Sequence, residues 1–135
     1  MSDPLAPPAA RRPEEALELV SQALSDGDLE AALAQYEDSA RIRTWQASPG
    51  GADEAVRSAL TCFMALRLPL AVTIATVLRV PGLALVICQR RTAGTGPDGE
   101  QVSYHGNGCA MVRAQADGTW RIAADTWQLG AAIPL

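Results

Sequence analysis

Residues 102–128 read VSYHGNGCAMVRAQADGTWRIAADTWQ, and this stretch decides the fold. Asp117-Gly118 separates two segments, 102–116 and 119–128, that have the composition of strands. An Asp-Gly pair between two such segments favours a tight hairpin, because both residues tolerate the positive φ angles of a two-residue turn. The pattern therefore predicts two antiparallel strands with Ala116 opposite Thr119.

The residues before this hairpin extend the same pattern. Apolar side chains alternate over residues 70–80, and Pro81-Gly82 then favours a turn. Residues 83–92 form the next predicted strand, and a turn rich in Gly, Pro and Asp over 94–99 leads into the hairpin. The second half of the chain is thus predicted to be a four-strand antiparallel meander.

The first half of the chain is predicted to be mainly helical. Apolar residues recur at helical spacing in three helices that begin at Pro13, at Asp28 and at about Ala52, with Tyr36 on the second helix. One short strand is predicted over residues 40–46. Helices grouped before a hairpin-linked sheet indicate the α+β class.

The composition limits the classes of function. A chain of 135 residues with 48% hydrophobic and 19% charged residues is typical of one globular domain. The formal net charge is −4 and every basic residue is Arg, so no basic face for a nucleic acid is expected. No apolar segment is long enough for a signal peptide or a membrane span. We therefore expect a cytoplasmic protein, with residues 1–12 as a flexible Pro/Ala-rich arm.

The number and spacing of the cysteines, and the single histidine, do not fit a metal site. Cys62, Cys88 and Cys109 are an odd number without Cys-x-x-Cys spacing, which fits neither a disulfide framework nor zinc. The chain also lacks a P-loop and a dinucleotide-binding fingerprint. No cofactor is therefore expected.

Three short motifs in a fixed order give the chain a family resemblance. Residues 25–28 (SDGD) followed by 36–40 (YEDSA) resemble the opening GD…YxxDA of SnoaL-like and DUF4440-type proteins. Residues 94–99 (GTGPDG) and 117–122 (DGTWRI) resemble their glycine-rich hairpin and their closing DGxWRI strand. The chain therefore resembles the NTF2-like superfamily, which includes the ketosteroid isomerase-like proteins.

This resemblance implies an architecture and a kind of partner. The expected fold is a cone in which a curved mixed or antiparallel sheet carries about three N-terminal helices on its concave face. Residues 13–135 would form this single domain, with a pocket for a hydrophobic small molecule. Many members of the superfamily form homodimers through the outer face of the sheet.

The resemblance also raises the question of catalysis. Isomerases of this family carry a carboxylate base on the first strand, a few residues after the "DA". The matching position here is Thr44, which cannot act as a base near neutral pH. Whether the chain is an isomerase or cyclase is therefore left open.

His105 and Asp125 are the candidate catalytic residues. The histidine side chain is the usual acid or base near neutral pH, so His105 is a candidate for that role, although an end-of-strand histidine hydrogen-bonded to a loop is the more ordinary role. Asp125 fits either a pocket acid with a raised pKa or a surface ion-pair partner of Arg121 or Arg113. The hairpin register puts these two residues on opposite faces, so a His–Asp dyad is not expected unless a bulge intervenes. The predicted His105 face holds Asn107, Cys109, Met111, Trp120, Ile122, Ala124 and Thr126, and the predicted Asp125 face holds Tyr104, Arg121 and Trp127.

Four residues are candidate ligand contacts. Tyr36 would pack on the sheet with its hydroxyl at the pocket rim. Trp45 and Trp127 would stack on a planar ligand, or else pack in the core or at a dimer interface. Asn107 would contribute a polar group beside His105. Arg90-Arg91 fits either an acidic ligand or an ordinary charged strand end.

Two functions fit these residues. The first is a protein that acts on a hydrophobic polyketide- or terpenoid-like metabolite by acid–base isomerisation or cyclisation. The second is a non-catalytic ligand-binding or dimerisation module of the same fold, which the missing first-strand carboxylate favours. The position of His105 and Asp125 relative to the cavity distinguishes these two functions.

Overall fold

The computed structural model describes residues 7–44, 54–127 and 130–131. The helices in this part of the chain are α1 (Pro13–Ser25), α2 (Leu29–Leu33) and α3 (Val56–Met64). The strands are β1 (Tyr36–Arg43), β2 (Glu54–Ala55), β3 (Ala71–Val80), β4 (Leu83–Thr95), β5 (Gln101–Ala114), β6 (Trp120–Trp127) and β7 (Gly130–Ala131). The predicted α+β class is confirmed.

The strands form one mixed sheet in the order β2-β1-β6-β5-β4-β3, with the short β7 paired to β5. Strands β3 to β6 are the antiparallel meander that the turn residues predict. Strand β1 runs parallel to β6 and so makes the sheet mixed. Helix α1 packs across β3 to β6, and α3 packs on β1, so the inner face of the sheet is covered by helices.

Helix α1 follows its sequence signals closely. Pro13 occupies the first turn together with Glu14 and Glu15, where the helix dipole favours acidic side chains. After the helix, Gly27 adopts a φ of 76°, and the carboxylate of Asp28 then caps α2 by accepting from the Ala31 N–H at 3.1 Å. The buried apolar stripe of α1 consists of Ala16, Leu17, Val20, Ala23 and Leu24.

The second helix is shorter than predicted, and Tyr36 is not on it. Helix α2 ends at Leu33, and Tyr36 is the first residue of β1. The Ile122 N–H donates to the Gln35 carbonyl at 2.8 Å, and Tyr36 pairs with Ile122. Pairing with a strand that lies far away in the sequence thus overrides the local helical periodicity. Of the strand predicted over 40–46, residues 45 and 46 lie outside the described residues.

The predicted hairpin register is correct for one half of β6 and wrong for the other. Ala110 lies opposite Asp125, which is the pairing that a two-residue Asp117-Gly118 turn gives. At the turn itself the predicted pairing of Ala116 with Thr119 is wrong, because the Gln115 N–H donates to the Thr119 carbonyl at 2.8 Å. The register shifts between Met111 and Val112, so that Ala123 has no pairing partner on β5. Because of this bulge, the side chains of β6 before Ala123 lie on the opposite faces from those that the prediction gave them. Trp120 and Ile122 are therefore buried on the same face as Asp125, and Arg121 points outward, contrary to the prediction.

Part of the predicted N-terminal arm packs on the domain. Ala10 is completely buried, and its carbonyl accepts from the Trp120 N–H at 3.0 Å. The Pro8 carbonyl accepts from the Gln35 side-chain amide at 2.7 Å. The packed domain therefore begins before Pro13, the predicted boundary. The sequence could not show this because the contacts are made to residues far along the chain.

Within the described residues, no helix has both the length and the apolar composition needed to cross a membrane.

The buried strand β6 predicts a large effect of one substitution. Ile122→Asp places an unpaired charge where the native side chain is 0% exposed, so we expect the free energy of unfolding to fall by about 4 kcal/mol or more. Ala124→Asp introduces the same charged side chain at an exposed position of the same strand and should cost at most about 1 kcal/mol. Denaturant unfolding followed by circular dichroism compares the two variants. Equal losses of unfolding free energy in the two variants would show that Ile122 is not a core residue.

Candidate functional site

Asp125 is the centre of a buried polar cluster on the inner face of the sheet. Its Oδ2 accepts hydrogen bonds from the Tyr36 hydroxyl at 2.7 Å and from the Trp127 Nε1–H at 2.8 Å. Arg90 Nη2 lies 3.3 Å from each carboxylate oxygen. All four residues are at most 3% exposed. We call Tyr36, Arg90, Asp125 and Trp127 the buried tetrad.

Arg90 is held from several sides. Its guanidinium lies over the Trp127 ring, 4.4 Å from the ring centre, and its Nη1 donates to the Thr126 carbonyl at 3.1 Å. Gly108 lies directly beside it on β5. A methyl group at Gly108 would overlap Nη1 and would lie 3.0 Å from both the Cys88 Sγ and the Thr126 carbonyl. The guanidinium therefore fits only because residue 108 has no side chain.

Burial and charge determine the protonation of the tetrad. Burial, reinforced by the negative charge of Asp125, raises the pKa of Tyr36 well above its ordinary value. Burial by itself would lower the pKa of Arg90, but the attraction of Asp125 outweighs it, and the net pKa of Arg90 is raised. The tetrad thus combines a neutral phenol with an arginine–carboxylate ion pair.

The two cysteines beside the tetrad are poor nucleophiles. Burial raises the pKa of Cys88, and burial together with the charge of Asp125 raises the pKa of Cys109. The reactive form of a cysteine is the thiolate, which these shifts disfavour near neutral pH. Within the described residues, no group of three His, Cys, Asp or Glu side chains could hold a metal ion.

The hydrogen-bond donors of the tetrad converge on the Asp125 carboxylate. The Tyr36 hydroxyl, the Trp127 N–H and the Arg90 guanidinium all donate to Asp125. Across the described residues, every buried side-chain nitrogen or oxygen has a hydrogen-bond partner. The Asp125 carboxylate thus accepts from three other members of the tetrad, which is the geometry of a satisfied hydrogen-bond network.

The predicted site residues fall into two groups on opposite faces of the sheet. Asp125, Tyr36 and Trp127 come together on the inner face, where Tyr36 and Trp127 are both buried and the Tyr36 hydroxyl donates to Asp125. His105 and Asn107 are exposed on the outer face, where they line a cleft of about 270 Å³. His105 and Asp125 therefore form no dyad, as the hairpin register indicates. Thr44 is buried just after β1, and Trp45 lies outside the described residues.

Trp127 packs in the core, which is the second of the two roles predicted for it. It is 1% exposed, and its ring meets Phe63 edge to face, with the ring centres 5.6 Å apart and the planes at 70°. This contact joins α3 to the inner face of β6.

Two residues of this site were missed by sequence reasoning. The sequence predicts a ligand contact or a charged strand end at Arg90, whereas in the structure Arg90 is the cation of the tetrad. The strand alternation contains the missing signal, since Ala84, Val86 and Cys88 precede it on the buried face of β4. Gly108 gives no such signal, because only the packed guanidinium explains why it must be glycine.

Comparison with known proteins supports a fold assignment. No family model matches the chain, and no curated protein sequence matches it. Among solved structures, a ketosteroid isomerase-like protein from Erwinia carotovora atroseptica SCRI1043 has a TM-score of 0.70 at 19% identity, covering 90% of this chain and 95% of that one. An NTF2-like protein of unknown function in nutrient uptake from Rhodospirillum rubrum ATCC 11170 has a TM-score of 0.69 at 19% identity, covering 90% and 99%.

A third neighbour has a different description. A protein from Thiobacillus denitrificans ATCC 25259, described as a calcium/calmodulin-dependent protein kinase type II association domain, has a TM-score of 0.67 at 18% identity. The match covers 93% of this chain and 99% of that one. The mixed sheet, the covering helices and these neighbours agree with the resemblance in the sequence motifs, and the chain has the fold of the NTF2-like superfamily.

Proposed function

We propose that this chain is a non-catalytic association module that forms a homodimer through the outer face of its sheet. The observation that carries this proposal is an apolar patch on that face, formed by Leu78, Val80, Leu85, Ile87 and Met111. Leu78 lies opposite Leu85, and Leu85 lies opposite Met111, so the patch is continuous across three strands. Leu78, Val80, Ile87 and Met111 are 57%, 60%, 37% and 41% exposed.

Physical reasoning favours a second copy of the chain as the partner. A contiguous exposed apolar patch is uncommon on a monomer and usually marks an interaction surface. A sheet face can meet the same face of a second copy across a twofold axis, which buries the patch on both subunits at once. The likeness to proteins described as association domains supports the same proposal.

In this proposal the buried tetrad stabilises the fold and does not react. Asp125 comes from the middle of the sheet, Tyr36 from β1 and Arg90 from β4. Their hydrogen bonds connect three strands that come from distant parts of the chain. Cys62, Cys88 and Cys109 are all free thiols, which suits a cytoplasmic protein.

A second candidate function is enzymatic. A SnoaL-like or DUF4440-type protein would isomerise or cyclise a hydrophobic polyketide- or terpenoid-like metabolite, with Asp125 moving the proton. The observation in its favour is the buried phenol of Tyr36, whose pKa is strongly perturbed and whose hydroxyl lies 2.7 Å from a carboxylate. Such perturbed groups are concentrated at functional sites, although ion-pair networks perturb pKa values as well.

Asp125→Asn distinguishes the structural role from the catalytic role. The variant leaves the Arg90 cation buried without a counter-charge, so we expect a loss of about 3–5 kcal/mol in the free energy of unfolding. Asp98→Asn, at an exposed turn position, should change it by no more than about 0.5 kcal/mol. Chemical denaturation measures both variants. Native stability in Asp125→Asn would instead favour a catalytic carboxylate.

Tyr36→Phe tests the buried phenol through the pH dependence of stability. The folded protein keeps the proton on Tyr36 above the usual pKa of 10.0, whereas the unfolded chain loses it there. The stability that Tyr36 contributes is therefore complete below about pH 10 and declines as the pH rises further. We expect Tyr36→Phe to be less stable by about 1.5–3 kcal/mol at neutral pH.

The stability difference between wild type and Tyr36→Phe should then become smaller above about pH 10. There the unfolded wild-type chain is stabilised by ionisation of Tyr36, and the variant has no such group. Denaturant unfolding at a series of alkaline pH values provides the measurement. A difference that stays constant across the series would contradict the buried phenol.

Leu78→Glu tests the homodimer. The substitution adds a charge at a position that is 57% exposed, so the monomer should fold normally while the dimer is lost. Ala93→Glu places the same charge on the outer face of β4 outside the patch and should leave the dimer intact. Analytical ultracentrifugation measures the masses. A monomeric wild type over the whole concentration range would refute the association module.

A further inference from the structure

We propose that the outer face of the sheet also carries a binding site for a small molecule with an oxyanion, either a carboxylate or a phosphate. The site is a cleft beside the apolar patch, and its volume is about 270 Å³. We call it the outer cleft. Its polar side chains are Thr73, Gln89, Arg91, His105 and Asn107, and Ala71, Arg90 and Gly106 complete its lining.

Strand pairing brings these side chains together. Arg91 lies directly opposite His105, and Gln89 lies opposite Asn107. Thr73 lies opposite Gln89 from the other side. Directly opposed residues on neighbouring strands have their Cβ atoms about 5 Å apart, so the five polar groups occupy one small area of the face. Residues that are up to 34 positions apart in the sequence thereby form a single surface.

The chemistry of the outer cleft is that of an anion site. Guanidinium, imidazole, two carboxamides and a hydroxyl can all donate hydrogen bonds, and none of the described residues that line the cleft is a carboxylate. The planar fork of an arginine such as Arg91 matches the two oxygens of a carboxylate or phosphate. This local excess of donors is notable in a chain whose net charge is −4.

The two adjacent arginines of β4 differ in their partners. Arg90 points inward and is fully engaged with Asp125, Thr126 and Trp127. Arg91 points outward, and its side chain makes no ion pair or side-chain hydrogen bond with any of the residues that the structure describes. Its guanidinium is therefore available to a ligand.

The volume of the outer cleft limits the ligand. About 270 Å³ is near the lower end of the range for small-molecule pockets. The occupant is then a small organic acid or phosphate ester, not a large hydrophobic metabolite. Ala71 and Gly106 leave room above the sheet, because neither carries a side chain beyond a methyl group.

Amide NMR spectroscopy tests the site directly. The protein is titrated with succinate and, separately, with inorganic phosphate, while sodium chloride keeps the ionic strength constant. We expect saturable shift changes in residues 71–73, 89–91 and 105–107 with at least one of the two probes. The probe that binds identifies the oxyanion. Failure of both probes to give saturable changes would overturn the proposal.

Two arginine variants provide the matched comparison. Arg91→Gln should weaken binding roughly tenfold, because it removes a charge-assisted hydrogen bond. Arg121→Gln removes the same charge from the same face outside the outer cleft and should leave binding within about twofold, since exposed charges at a distance are screened. Equal weakening in both variants would overturn the site, since it would indicate general surface charge. Circular dichroism confirms that both variants fold.

The Leu78→Glu variant separates this site from the proposed dimer. Leu78 is not part of the outer cleft, so a monomeric variant should bind the probe as the wild type does. Loss of the dimer with unchanged probe binding would show that the two proposals stand independently. Loss of probe binding in a folded Leu78→Glu monomer would overturn the site as a property of the single chain.

Discussion

The buried ion pair between Arg90 and Asp125 is the constraint on which the rest of the interior depends. A guanidinium and a carboxylate that are withdrawn from water are tolerated only when their remaining hydrogen-bonding capacity is used. Tyr36 and Trp127 donate to the same carboxylate, and the Trp127 ring also covers the guanidinium. The missing side chain of Gly108 leaves the space for this arrangement. The side-chain bonds to Asp125 thus connect β1, β4 and β6 across the inner face.

The bulge at Ala123 allows β6 to direct both Ile122 and Asp125 toward the interior. Without it, strict alternation from Asp125 and Trp127 would turn Ile122 toward solvent. The additional residue lets Ile122 stay in the apolar core while Asp125 stays in the ion pair. Bulges occur where a strand must redirect its side chains, and this one separates the apolar half of the strand from the polar half.

The two faces of the sheet have opposite chemical characters. On the inner face the polar groups are buried and satisfied by one another, and the helices cover them. On the outer face the apolar side chains of the patch and the polar side chains of the outer cleft are exposed next to each other. Groups that satisfy one another stabilise a fold, whereas groups without internal partners are available for binding. The proposed interactions of this protein therefore lie on its outer face.

The sequence by itself determined the α+β class, the start of helix α1 and the order of the four-strand meander, because helix-start residues, turn residues and apolar alternation are local signals. It also placed His105 and Asp125 on opposite faces. Only the tertiary structure decided that Tyr36 begins a strand, that Ala123 forms a bulge and that Arg90 is the partner of Asp125. Each of these depends on contacts between residues far apart in the chain, and local sequence patterns do not predict such contacts.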